Sequence, residues 1–374
     1  MTASAIITPR PGIEGIEPYE GGESTLEHRE RVIKLSSNEG ALGPSPRAVA
    51  AYQAAAAEIH RYPDGHSSEL RRAIARRFGL DAARIVCGAG SDELLCLLAR
   101  AYAGDGDEVI HSEHGFLMYS IIARSVGAQP IAAPETGLKA DVDQLLSLVT
   151  GRTRLLYLAN PNNPTGSYLD AGELRRLHQG LPEHVLLVID SAYAEFVTND
   201  DYSPGIDLVD GAANVVMTRT FSKIFALGSL RLGWAYAPPA VVDILNRLRM
   251  PFNVTAPTQA AGIAAVGDLE FTEAARHHNE VWRAWLADRL VKAGLKVAPS
   301  AGNFLLVCFP DDASRDAAAA DGFLNSRGII VRRLGKYGLG GCLRITIGTE
   351  VEMHAVADAL DDFMNSASVR PGSR

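Results

Sequence analysis

Val185-Leu186-Leu187-Val188-Ile189 is an unbroken apolar run, closed by Asp190. A strand with one wet face alternates polar and apolar residues, whereas a run this short and uniform reads as a strand covered on both faces. Comparable runs at 84–87, 108–111, 155–158, 215–218 and 234–237 read as further strands. Segments 94–103, 145–149 and 173–181 between them carry helical apolar spacing. Strands alternating with helices predict an α/β chain built on a doubly wound, mostly parallel sheet.

A long amphipathic pattern over 269–293 contains Trp282, Trp285, Leu286 and Leu290, and strand-like runs follow at 304–309, 329–331 and 343–347. This reads as a second, smaller α/β domain joined by one long helix, closed by a helix over 350–364 and a polar tail expected to be disordered. At 374 residues the chain is long enough for two such cores. Its formal net charge of -8 argues against nucleic acid or an anionic membrane as a partner, so any anion site must be built locally. The start of the chain lacks a basic stretch followed by an apolar run, and no segment approaches the roughly 18 apolar residues of a membrane span. The expectation is a cytoplasmic protein acting on small molecules. Cys87, Cys96, Cys308 and Cys342 are scattered in apolar surroundings without metal-ligand spacing. They read as buried thiols, with neither a disulfide framework nor a metal site.

Four loops at strand ends carry chemistry. Ser222-Lys223 follows the run ending at Met217, and a lysine desolvated there would have a lowered pKa, favouring the neutral amine needed to form an imine. Ser222 adds a hydroxyl and Arg231 a planar cation suited to phosphate. Asp190, directly after its apolar strand, would be costly to bury without a cation; a pyridinium nitrogen is one, and a helix N-cap is the bland alternative. Tyr193, three residues on, can reach a ring oxygen. Asn160-Pro161-Asn162-Asn163-Pro164-Thr165-Gly166 makes a tight loop able to hold Asn163 toward a ligand. Gly88-Ala89-Gly90-Ser91-Asp92 opens a helix whose N-terminus suits an anion. A dinucleotide fingerprint would need a further glycine where Glu93 stands, so a lone phosphate fits better.

In joint order, these loops together with Leu35-Ser36-Ser37-Asn38-Glu39, His60-Arg61-Tyr62-Pro63-Asp64-Gly65 and Cys342-Leu343-Arg344-Ile345-Thr346-Ile347-Gly348-Thr349 span almost the whole chain. The sequence resembles the fold-type-I aminotransferases and, within them, the histidinol-phosphate aminotransferases. The resemblance implies a seven-stranded large domain over 46–265 that binds pyridoxal 5'-phosphate. It places the small domain over 266–374, with 1–45 as an N-terminal arm and part of that domain. Lys223 would carry the cofactor, with Asp190 at the ring nitrogen and Asn163 and Tyr193 at the ring oxygen. Ser91, Asp92, Ser222 and Arg231 would hold its phosphate, and Phe116 would stack on the ring or, more plainly, pack in the core. Tyr62 matches a tyrosine that reaches the cofactor of the other subunit, which implies a homodimer with shared sites. Two positions depart from the family pattern: Gly40-Ala41 replaces Asn-Pro, and Ser191 replaces a glutamate.

Arg344 matches the arginine that binds a substrate carboxylate in these families, and Tyr19, Arg332 and Arg344 match contacts to a substrate phosphate. Arg333 and Lys336 read as surface charge. The implied reaction is a two-stage transamination between L-histidinol phosphate and 2-oxoglutarate in histidine biosynthesis, in which Lys223 moves the Cα proton. An aromatic amino-acid aminotransferase, a dual-specificity enzyme and a decarboxylase of a phosphorylated amino acid use the same scaffold. A non-enzymatic regulator would need an added basic module, and none precedes the first strand.

Overall fold

The computed structural model describes residues 7–10, 12–27, 29 and 31–366. The polar tail discussed above lies outside the described residues.

Seven strands form one sheet in the order Ile85–Gly88, Gly233–Tyr236, Val215–Thr220, Leu186–Asp190, Thr153–Ala159, Glu108–Ser112 and Gln129–Ala133. Gly233–Tyr236 runs antiparallel to both its neighbours; the other pairings are parallel. Every residue of Leu186–Asp190 is buried, and successive side chains enter opposite cores: Leu187 and Ile189 on one face, Leu186 and Val188 on the other. The uniform apolar run is the direct consequence of these two covers. Helices Ser91–Tyr102 and Ala171–Gly180 serve as crossovers. Asp170 and Glu173 fix the start of the second by reciprocal side-chain to backbone bonds.

Gln129–Ala133, on the sheet edge, has no counterpart in the sequence reading. It contains Pro130 and is partly exposed, as an unpaired edge permits. The run at 329–331 reads as part of the later sheet, but Ile329–Ile330 pairs instead with Ile33–Lys34, in parallel.

Leu269–Lys292 is the expected long helix, capped by the Asp268 side chain. Leu286 and Leu290 pack with Leu305, Leu343, Ile345 and Leu360 in a third core, which Leu35 of the N-terminal segment joins. The strands Lys296–Val297, Phe304–Cys308, Cys342–Thr346 and Arg332–Arg333 form an antiparallel sheet in that order.

One expectation is overturned here. Cys308 and Cys342 are joined by a disulfide. They are register partners across two antiparallel strands, with Cα atoms 4.0 Å apart, so sheet pairing brings together cysteines 34 residues apart in sequence. Cys87 and Cys96 are free; burial pushes the first thiol up to about 12 and the second to about 11. Among the described residues no helix is long and apolar enough to cross a membrane, and no group of three potential metal ligands is found.

Candidate active site

The carboxyl ends of the strands Ile85–Gly88, Glu108–Ser112, Thr153–Ala159, Leu186–Asp190 and Val215–Thr220 open into one cavity of about 370 Å³. Ligands in open α/β sheets bind at this edge, because the loops leaving the strands converge there. Ser91, Asp92, Phe116, Asn163, Asp190 and Tyr193 all line it. So do Ser222, Lys223 and Arg231 from the other side, and Tyr19, Arg332 and Arg344 toward the small sheet. Tyr62 does not: it is exposed and stacked on Phe252 at 4.7 Å.

Lys223 sits in the turn after Val215–Thr220, its Nζ donating to the Ser37 carbonyl at 3.3 Å. Burial, and then the positive charge of Arg344, lower its pKa to about 8. Gly40 lies against this turn: a Cβ there would come within 2.7 Å of Ala226 Cβ and 3.3 Å of the Lys223 carbonyl. The first departure from the family pattern thus lies against the backbone of the lysine turn.

Asp190 is 5% exposed. Its Oδ2 accepts from Tyr119 Oη at 2.9 Å and its Oδ1 from Thr218 Oγ1 at 3.4 Å, and no cation pairs with it among the described residues. Burial raises its pKa to about 6, with the Tyr119 bond opposing. Tyr193 is buried edge-on to Phe304, and its hydroxyl accepts from Asn38 Nδ2 at 2.8 Å. Burial holds that phenol well above its ordinary range. Asn38 is itself fixed by Thr346 and Asn303.

At the start of helix Ser91–Tyr102, Gly90 adopts φ +87, and a Cβ on it would stand 2.6 Å from Arg231 Nη2. Arg231 donates to Asp92 Oδ2 at 3.0 Å and Ser222 Oγ at 3.3 Å, drawing the helix N-terminus and the lysine turn together. Glu93, where the dinucleotide fingerprint has glycine, accepts from the Ala89 N–H and from Asn253 Nδ2.

Arg344 is 5% exposed; it donates to the Ser36 carbonyl at 2.7 Å and to Asn163 Oδ1, and lies over Phe304. Its Nε has no partner, and no carboxylate pairs with it among the described residues. Burial lowers its pKa. Arg332 donates to the carbonyls of Glu20 and Gly21, and Tyr19 packs edge-on to Phe116 at 6.1 Å. Arg333 is exposed, and Lys336 pairs with Glu20 at 3.0 Å and lies 3.8 Å from Glu17.

These residues fit pyridoxal phosphate. A buried carboxylate without a cation suits a protonated ring nitrogen, and Ser222, Arg231 and a helix N-terminus together suit a phosphate. The residue-by-residue reading missed Tyr119 and Asn38. Tyr119 lies one helical turn beyond Phe116, and Asn38 lies within the matched segment 35–39, so both had a signal.

The chain matches the family "Aminotransferase class I and II" over residues 30–360. A histidinol-phosphate aminotransferase of Paramagnetospirillum magneticum is 60% identical over 366 residues, covering 98% of this chain and 100% of the relative. One from Rhodospirillum rubrum is 55% identical, covering 97% and 99%. Among solved structures, histidinol-phosphate aminotransferase from Sinorhizobium meliloti in complex with pyridoxal-5'-phosphate superposes with a TM-score of 0.89 at 31% identity, covering 98% and 100%.

Proposed function

The chain belongs to the class I and II aminotransferases, which depend on pyridoxal phosphate, and from that premise we propose that it transfers the amino group of L-histidinol phosphate to 2-oxoglutarate. The products are imidazole acetol phosphate and glutamate, in histidine biosynthesis. The observation that carries the reading is Arg344: a buried guanidinium without a carboxylate, in one cavity with Lys223. Its unpartnered Nε can be satisfied by an anion. An enzyme for these two substrates must hold a phosphate in one half-reaction and a carboxylate in the other, and planar guanidinium groups accept either.

Bound in the cavity, pyridoxal phosphate supplies the electron sink for the bond broken at the substrate Cα. Lys223 would hold it as an imine, and, once the substrate amine has taken its place on the cofactor, the freed neutral amine favoured by its lowered pKa would move the Cα proton. Asp190 would keep the ring nitrogen protonated, Tyr193 and Asn163 would hold the ring oxygen, and Phe116 would cover the ring. Ser222, Arg231 and the helix N-terminus at Ser91 and Asp92 would hold the phosphate. Tyr19, Arg332 and Arg344 receive the substrate's anionic end. Tyr62, exposed on its own subunit, is assigned to the neighbouring site of a cytoplasmic homodimer. Residues 46–265 form the cofactor-binding domain, and 1–45 with 266–374 the arm and small domain.

The test presents histidinol phosphate, phenylalanine and glutamate separately to the loaded enzyme and follows cofactor absorbance. Conversion by histidinol phosphate and glutamate supports the assignment. Faster conversion by phenylalanine points to an aromatic aminotransferase, and carbon dioxide release without 2-oxoglutarate to a decarboxylase.

A further inference from the structure

Residues 113–117 link the strand Glu108–Ser112 to the helix Met118–Ser125 and bring Phe116 into the cavity. Backbone bonds tie its ends: the Glu113 N–H donates to the Ala133 carbonyl at 2.8 Å and the Gly115 N–H to the Ser112 carbonyl at 2.9 Å. His114, between them, is held by side chains from two other segments. The Glu135 carboxylate accepts the His114 backbone N–H on Oε1 at 3.2 Å and meets the ring Nδ1 through Oε2 at 3.0 Å. Both side chains are withdrawn from water, at 13% and 1% exposure. A carboxylate that holds one residue at two points fixes its rotation as well as its place. Glu135 begins the hairpin of Glu135–Thr136 with Lys139–Ala140, which continues from the edge strand.

The opposite side of His114 is held too. Its carbonyl accepts from Asn162 Nδ2 at 3.2 Å, and the same amide donates to Thr165 Oγ1 at 2.9 Å. Asn162 precedes Asn163, so His114 touches both the turn that presents Phe116 and the loop that presents Asn163. Its Nε2 lies 3.9 Å from where a Cβ on Gly338 would stand, at the boundary with the small sheet.

We propose that His114, clamped by Glu135, is a positioning residue that holds Phe116 and Asn163 in fixed relation within the cofactor site. The inference rests on the cofactor reading given above. Besides Glu135, Glu113 on the same turn acts on the His114 ring, and His111 feels the Glu135 charge together with that of Arg124. The bond to Glu135 is the largest influence on the His114 imidazole and keeps its pKa above the ordinary value in spite of burial.

The experiment compares pyridoxal phosphate dissociation, kcat and KM for wild type, His114→Ala, His114→Gln and Glu135→Gln. His114→Ala is expected to weaken cofactor retention by at least about tenfold and to lower kcat more than it changes KM, because a slight misplacement of positioning groups is costly. His114→Gln, which can keep an N–H toward Glu135, restores most of the loss. On cofactor-free protein, the His114 imidazole followed by NMR titrates above its ordinary value in wild type and falls in Glu135→Gln. If His114→Ala holds the cofactor as tightly as wild type and loses only thermal stability, the pair is structural and the proposal is overturned. A wild type that fails to bind pyridoxal phosphate overturns the cofactor reading as well, and that failure is recognised without any variant.

Discussion

Tyr119 donates its hydroxyl proton to Asp190 Oδ2 at 2.9 Å, from a ring stacked on Tyr157 at 5.0 Å. Tyr157 in turn donates to the Leu95 carbonyl at 2.8 Å, so the donor that faces the carboxylate is anchored through the core to the phosphate-side helix. This arrangement holds a carboxylate ready for a cation that the protein itself does not supply.

The cost of that readiness is measurable. With its pKa raised to about 6, Asp190 binds its proton more tightly in the folded than in the unfolded chain between about pH 4 and pH 6. Stability of the cofactor-free protein therefore falls as pH rises through this window, by roughly 3 kcal/mol for a shift of about two units. Carboxylates with lowered pKa, such as Glu108 and Asp141, slope the other way, so the quantity to read is the difference from Asp190→Asn. Urea midpoints at pH 4.5 and pH 7 should diverge between the two proteins; parallel behaviour would sink the idea. Asp190→Asn should be more stable than wild type at pH 7 when cofactor-free, and nearly inactive when loaded. Tyr119→Phe removes a hydrogen bond to a charged group, worth about 1.5–3 kcal/mol, and should push the Asp190 pKa higher still.

Lys223 gives the opposite sign. Its pKa, lowered to about 8, means that the unfolded chain binds the extra proton between about pH 8 and pH 10.4, so stability gained from this group rises with pH across that span. The rate at which cofactor-free protein takes up pyridoxal phosphate should climb with pH and level off above about 8, as the neutral amine becomes dominant. Burial is the first cause of the shift and Arg344 the second, so Arg344→Leu should move the midpoint upward. Stopped-flow absorbance at several pH values reads both midpoints, and identical values would show that Arg344 has no influence on the lysine.

The five other strands visible in the sequence share one property with Leu186–Asp190: they are almost wholly buried, so each carries a short apolar stretch, with polar residues such as Glu108, Thr153 and Thr220 gathered toward its ends. Gln129–Ala133 escaped because an edge strand with one free side tolerates glutamine and proline. Lys223, Asp190 and Asn163 were legible because each lies at the end of its strand or in the short loop that leaves it, and the strand places it at the sheet edge. Asn38 and Tyr119 were not read out one by one. Their position near or within matched segments was a signal, but their particular roles depend on contacts made across 155 and 71 positions of sequence, which that signal does not specify. The Cys308–Cys342 bond failed for the same reason: it follows from strand register, and scattered cysteines carry no trace of register.

That disulfide makes a direct prediction. Closing a loop of 34 residues is expected to stabilise the fold by roughly 2–4 kcal/mol through the unfolded chain. Reductant should lower the melting temperature of wild type and leave Cys342→Ser unmoved. Cys87 and Cys96, with thiols held near 12 and 11, should react slowly with a thiol reagent in the native oxidised protein. Rapid labelling of native Cys308 or Cys342 without reductant would show that the bond does not form.

Gly233 offers the sharpest steric test of the phosphate side. It opens the antiparallel strand, opposite both Gly88 and Thr220, and a Cβ there would fall 2.3 Å from the Ser91 backbone nitrogen and 2.5 Å from the Gly90 carbonyl carbon. Those are backbone atoms, so no side chain can swing aside; the N-terminus of helix Ser91–Tyr102 must move, and Arg231, two residues before Gly233, must move with it. Gly233→Ala is therefore expected to cost about 1–3 kcal/mol of stability, as overpacking does, and to weaken pyridoxal phosphate binding at least about tenfold by spoiling the anion site. Gly267→Ala is the control: nothing lies within 4 Å of its added methyl, and it should leave both quantities near wild type. Equilibrium dialysis of the cofactor with urea melts on the three proteins decides the matter, and a Gly233→Ala protein indistinguishable from Gly267→Ala would remove the helix N-terminus from the phosphate site.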